Sequence, residues 1–142
     1  MDQRVDVVTL RATDLEASTR YYVEGLGWRP ILAVPGEVTF FQIAPGQALS
    51  LFAAAGFDAD LGGAVEASFT LAHNVGTDDE VDAVVTRMIA AGATVAKPAQ
   101  RADWGGYHAT VVDPTGLCWE IAHNPGWSVA PDGTVALGPP DA

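Results

Sequence analysis

Three shortages in this sequence of 142 residues each exclude a class of protein. Cysteine occurs once, at Cys118, so an intramolecular disulfide framework and a multi-cysteine zinc site are both excluded. Positive charge is scarce: seven Lys and Arg stand against eighteen Asp and Glu, for a formal net charge of −11. Nucleic acids and anionic membrane surfaces are bound by setting positive charge against phosphate, so neither is an expected partner. Long apolar runs are missing as well. No uncharged apolar segment reaches the ~20 residues of a membrane span, and the longest helical candidate, around 81–93, is interrupted by Arg87. The opening MDQRVDVVTL has neither the basic segment nor the apolar stretch of a secretory signal. A soluble, acidic, cytoplasmic protein is the expectation.

What remains is rich enough to fold: 49% of the residues are apolar and 18% charged, well outside the range of disordered chains. Residues 4–11 are rich in β-branched side chains and read as a strand. Asp14 follows as a helix cap, with Leu15, Thr19, Tyr22 and Leu26 at three- and four-residue steps until Gly25 and Gly27 stop the helix. Strands are expected at 28–34, 38–43 and 48–53, separated by Pro35-Gly36 and Ala44-Pro45-Gly46 turns. After a connection over 54–63 the order recurs. Residues 67–74 alternate as a strand, and Thr77-Asp78-Asp79-Glu80 has the pattern of a capping box. The helix it opens carries Val81, Val84, Val85, Met88 and Ile89 on one face and ends at Gly92. Strands near 94–96, 107–112 and 117–122 follow, the last two joined by a turn at 113–116.

The recurrence is the strongest signal. Thr9-Leu10 and Thr70-Leu71 lie 61 residues apart, and 45–53 runs parallel to 114–122, with Leu51 matching Ile121 at an offset of 70. Both halves read β-α-β-β-β. The divisions are a first module over 1–56, a linker over 57–63, a second module over 64–127 and an irregular tail over 128–142. Each half covers only one face of its sheet with a helix. Two halves side by side curl eight strands into an open barrel-like sheet, helices outside and a cleft within, an α+β architecture. Such a cleft is where a ligand binds.

The strand–Asp-Leu–helix–Leu-Gly opening VVTLRATDLEASTRYYVEGLGW, the helix TDDEVDAVVTRMIAAGA and the closing WGGYHATVVDPTGLCWEIAHNP together resemble the vicinal oxygen chelate superfamily over residues 5–127. That superfamily includes glyoxalases, extradiol dioxygenases, fosfomycin-inactivating enzymes and bleomycin-resistance proteins. Its metal-dependent members take ligands from the first and last strand of each module. By this resemblance, the first position falls at Val7, the second at Ser50, the third at Ser68 or Thr70 and the fourth at Glu120. Only Glu120 is a good ligand, whereas a catalytic divalent site takes three protein donors and an open position. The expectation is therefore no metal and no cofactor.

Strand alternation sets Glu120 on the opposite face from Trp119 and Ile121, pointing into the cleft if those two pack beneath the helices. There it can serve as a catalytic acceptor or base, and its burial requires a partner. Trp104-Gly105-Gly106-Tyr107 combines glycines that allow close backbone approach with flanking aromatic surface, and the resemblance places this run at the cleft mouth, as a ligand contact. Phe41, Ser50, Phe52 and Trp127 complete the ligand-binding expectation. Trp28 and Trp119 read as core, and Cys118 as an inert core thiol. His73 and His123 read as structural. So does His108, because a four-residue turn pairs Ala109 with Glu120 and turns His108 away.

The resemblance implies a metal-independent binding protein holding an aromatic or antibiotic-like ligand, a function of the resistance-by-sequestration type. A glyoxalase-like or dioxygenase-like enzyme using Glu120 or a metal is the alternative. A third is an interaction module whose cleft is filled by its own side chains. A small organic ligand is the expected partner, and the resemblance also implies a homodimer.

Overall fold

The computed structural model describes residues 1–63, 66–113 and 117–138. Its centre is a pair of antiparallel strands, β1 (Val7–Ala12) and β5 (Phe69–Asn74), in which Thr9 lies directly opposite Thr70. The two threonines matched by the sequence repeat thus meet where the halves join. Outward from β1 come β4 (Gln47–Ala53), parallel to it, then β3 (Val38–Ala44) and β2 (Leu32–Val34). Outward from β5 come β8 (Cys118–His123), parallel to it, then β7 (Tyr107–Val112) and β6 (Thr94–Arg101). The order β2-β3-β4-β1-β5-β8-β7-β6 is one eight-stranded mixed sheet, not closed on itself.

The expected helices form, with local differences. Asp14 caps α1 (Leu15–Arg20) by accepting from the Ala17 amide at 2.9 Å. Instead of running on as α-helix, the chain widens into a π-helical turn at Tyr21–Gly25, closed by Leu26 N–H to Tyr21 C=O at 3.1 Å. Tyr22 thereby joins Trp28 and Phe41 in an aromatic cluster. The strand expected from residue 28 begins later. Pro30 has no amide to give, and pairing starts where Ile31 donates to Phe40 C=O at 2.9 Å.

Thr77 caps α3 (Asp78–Ala90), accepting from Glu80 N–H at 3.2 Å, while the Glu80 carboxylate reaches back to Gly76 N–H at 2.7 Å. Val81, Val84 and Val85 of α3 pack on Ala109, Val111 and Ile121 to form the outer core. Met88 joins from the edge of that core, whereas Ile89 is 48% exposed and does not belong to the buried face. β6 extends well past the expected 94–96. It tolerates Pro98 because it is an edge strand, and two register shifts interrupt its pairing with β7.

Two stretches read as irregular are ordered. Residues 54–60, expected as connection, form α2 (Ala54–Asp60). Phe57 of α2 and Leu61 just beyond it are buried against Cys118. The tail forms a hairpin of β9 (Trp127–Val129) and β10 (Val135–Leu137). Gln42 pins it from β3: its amide nitrogen donates to Gly133 C=O at 2.8 Å and its oxygen accepts Val135 N–H at 3.1 Å. Among the described residues no helix is long and apolar enough to cross a membrane.

Candidate functional site

The concave face of the sheet encloses a cavity of about 560 Å³. Its walls are mostly apolar: Leu32, Val34, Phe40 and Phe52 from the first half, Phe57 of α2 and Leu61 just after it, Trp127 and Leu137 from the hairpin. Leu137 lies directly across from Trp127, so the ordered tail closes one side of the cavity. Cys118 is buried with Phe57 and Leu61, and burial raises its thiol pKa, which keeps it protonated.

Glu120 faces this cavity, as alternation requires, with Trp119 and Ile121 on the outer core. The partner it needs is His108, and here the structure corrects the expected register. Thr110, not Ala109, lies opposite Glu120, and Val112 lies opposite Cys118. Asp113 holds the connection by accepting Leu117 N–H at 3.1 Å. The remaining turn positions, 114–116, lie outside the described residues. A one-residue slip in register exchanges the faces of every side chain, so His108 shares the face of Glu120. His108 Nδ1 lies 2.9 Å from Glu120 Oε1, with its side chain only 2% exposed. Burial works against the charged imidazole, but the hydrogen bond and the charge of Glu120 outweigh it, and the pKa of His108 is raised.

A second pair stands beside the first. Asp60, the last residue of α2, accepts from Lys97 Nζ of β6 at 3.0 Å, and its backbone carbonyl accepts the Thr110 hydroxyl at 2.8 Å. The donor atoms of Asp60, His108 and Glu120 all lie within 4.8 Å of one another. Asp60 fell in the stretch read as linker, and nothing in its sequence context marks it.

Trp104 lines the cavity and is 42% exposed. Its ring lies tilted over His108, with centroids 5.7 Å apart. It also covers Gly106, where any side chain would collide with the indole, and Gly105 has φ +91°, so both glycines shape the loop. Neither Gly105 nor Gly106 lines the cavity, and neither does Tyr107, which alternation turns outward. The Tyr107 hydroxyl donates to Asp82 of α3 at 3.0 Å and its ring stacks under Arg101. Phe41 is likewise on the wrong face, buried in the aromatic cluster with Tyr22 and Trp28, and its neighbour Phe40 lines the cavity instead. Ser50, Phe52 and Trp127 do line it.

His73 and His123 lie away from the cavity lining. His123 pairs with Asp78 at 2.7 Å, tying β8 to the first turn of α3. His73 is buried with its Nδ1 3.7 Å from Asp6, and burial together with the Arg4 charge lowers its pKa.

Val7, Ser50, Thr70 and Glu120 all line the cavity, whereas Ser68 precedes β5. Val7 offers no donor, and one carboxylate with two hydroxyls does not hold a divalent ion against water. In the group of Asp60, His108 and Glu120, whose donor atoms are close enough to share an ion, Asp60 Oδ1 is held by the Lys97 ammonium and Glu120 Oε1 by His108 Nδ1.

The sequence matches the model of the Glyoxalase/Bleomycin resistance protein/Dioxygenase superfamily over residues 4–121. The chain belongs to this superfamily. A glyoxalase-related enzyme from Fulvimarina pelagi is 41% identical, over 96% of this chain and 99% of that one, with a TM-score of 0.48. A superfamily member from Vibrio splendidus is 17% identical over 84% of this chain and 97% of its own, with a TM-score of 0.54. The Mn(II)-bound glyoxalase from Novosphingobium aromaticivorans is 19% identical over 94% of this chain and 40% of its own, with a TM-score of 0.59. These last two likenesses speak to the fold alone. No curated protein matches the sequence.

Proposed function

We propose that this member of the superfamily is a small-molecule-binding protein that holds a compact, largely aromatic organic ligand in its concave cleft. This is the chemistry of resistance by sequestering an antibiotic or toxic metabolite. The observation that carries the reading is the cavity itself: about 560 Å³, walled by Phe40, Phe52, Phe57, Trp104 and Trp127. That volume falls within the range of small-molecule sites. It also disfavours an interaction module whose cleft is filled by its own side chains. No metal step enters this reading, because of the four positions that supply ligands in metal-dependent members only Glu120 is a strong donor here. Calorimetric titration with 2-naphthalenemethanol tests it. Trp104→Ala is expected to weaken binding by more than about 1 kcal/mol, as loss of a buried aromatic anchor does. Affinity unchanged by that substitution would misplace the site.

The contact between His108 and Glu120 favours a second reading, an enzyme in which Glu120 is a base and His108 orients it. Glu120→Gln would then abolish turnover while the protein stays folded. Turnover that survives the change removes Glu120 from the mechanism.

A further inference from the structure

We propose that the ligand of this cleft carries a protonated amine, bridged between Asp60 and Glu120. The inference rests on the binding reading above and adds the chemical class of the ligand. Asp60 ends α2 and Glu120 lies in the middle of β8, yet both carboxylates line the same cavity. Each is half occupied. Asp60 Oδ1 accepts from Lys97 and Glu120 Oε1 from His108, and neither cation lines the cavity. The second oxygens, Asp60 Oδ2 and Glu120 Oε2, accept no hydrogen bond among the described residues. An apolar ligand that fills the cleft would strip water from both, which is costly unless the ligand supplies donors.

The gap fits one nitrogen. An ammonium donates to carboxylate oxygens at roughly 2.7–2.9 Å along tetrahedral N–H bonds, so a single nitrogen serves two oxygens roughly 4.4–4.7 Å apart, and one oxygen of Asp60 and one of Glu120 lie within 4.8 Å of each other. A hydroxyl has one proton and satisfies one carboxylate. A carboxylate has none and is repelled. Lys97 and His108 already offset much of the local negative charge, so preference is set mainly by the number and direction of N–H donors. The net charge of −11 adds a long-range bias toward cations. The aromatic body of the ligand would then lie against Trp104 and Phe52, which line the same cavity.

The test compares three probes of one shape: 2-naphthylmethylammonium, 2-naphthalenemethanol and 2-naphthoate, titrated by calorimetry in about 0.15 M salt. The ammonium is expected to bind at least about tenfold more tightly than the alcohol, as charged hydrogen bonds warrant, with naphthoate weakest. Asp60→Asn and Glu120→Gln should each bring the affinities of ammonium and alcohol to within about twofold of one another. Thermal unfolding confirms that each variant is folded, and either one suffices. Equal binding of all three probes to the unmodified protein overturns the inference and leaves the aromatic cleft standing. Binding of none overturns both. Stoichiometric zinc or manganese that competes with the ammonium also overturns it, by assigning the carboxylates to a metal.

Discussion

In the first half of the sheet, β4 runs parallel to β1 and sends Ser50 into the cavity opposite Thr9. In the second half, β8 runs parallel to β5 and sends Glu120 into the cavity opposite Ala72. Leu51 and Ile121, the next residues along, are both buried. The backbone plan is duplicated and the buried positions with it, while the charges are not. Asp60, Lys97, His108 and Glu120 all gather against the second half. A duplicated sheet supplies a symmetric container, and the asymmetry of a few side chains decides which end of a ligand goes where.

The largest effect expected is on the shared part. Leu51→Ala and Ile121→Ala should each cost about 2–5 kcal/mol, the range for large-to-small changes in a packed core, read from urea unfolding. A loss at one position only would break the equivalence of the halves. Next comes the difference between them. Glu120→Gln should weaken 2-naphthylmethylammonium about tenfold while Ser50→Ala stays within about threefold, a ratio measured by calorimetry. Comparable losses would mean that the two walls share the polar contact.

Protonation sharpens the contrast further. His108 has its pKa raised in the folded protein above the ordinary 6.5, so the stability it contributes is full below 6.5 and is lost as pH rises through the folded value. His73 has its pKa lowered, so its contribution is full above 6.5 and is lost as pH falls below that value toward the folded one. Titration of the ring protons by NMR should place His108 above 6.5 and His73 below it. The opposite order would contradict the pairing of His108 with Glu120. The smallest effect belongs to Ile89, on the outer side of α3: Ile89→Ala should shift stability by no more than about 0.5 kcal/mol, as exposed positions do. A larger loss would place it in the core.

The fold was legible because its signals are periodic and repeated. Alternation over 67–74, the Thr77 cap and the repeat of Thr9-Leu10 in Thr70-Leu71 each constrain the backbone directly. The site was legible for Glu120 from its strand's alternation, for Ser50 from the repeat that sets Leu51 against Ile121, and for Trp104 from its glycine-rich run. It was lost where register mattered, because a shift of one residue between β7 and β8 turned His108 from an outward residue into the partner of Glu120. Phe41 was the wrong choice of two adjacent aromatics, since only one of Phe40-Phe41 can face inward and nothing in the sequence says which. Asp60 was beyond reach: α2 is a short helix containing Gly56, held by Phe57 packing against residues far along the chain. The hairpin over 127–137 was hidden in the same way, because its anchor is Gln42, a distant residue on β3.

The central claim is that the concave cleft, and no other surface, holds an organic ligand. The most direct measurement is an amide and indole NMR titration of the isotopically labelled protein with 2-naphthalenemethanol. Binding in the cleft gives saturable shifts at Thr9, Ser50, Thr70 and Glu120 and at the indoles of Trp104 and Trp127, with α3 and the cluster of Tyr22, Trp28 and Phe41 unmoved. Shifts confined to the outer face, or none at concentrations where the probe remains soluble, would contradict it.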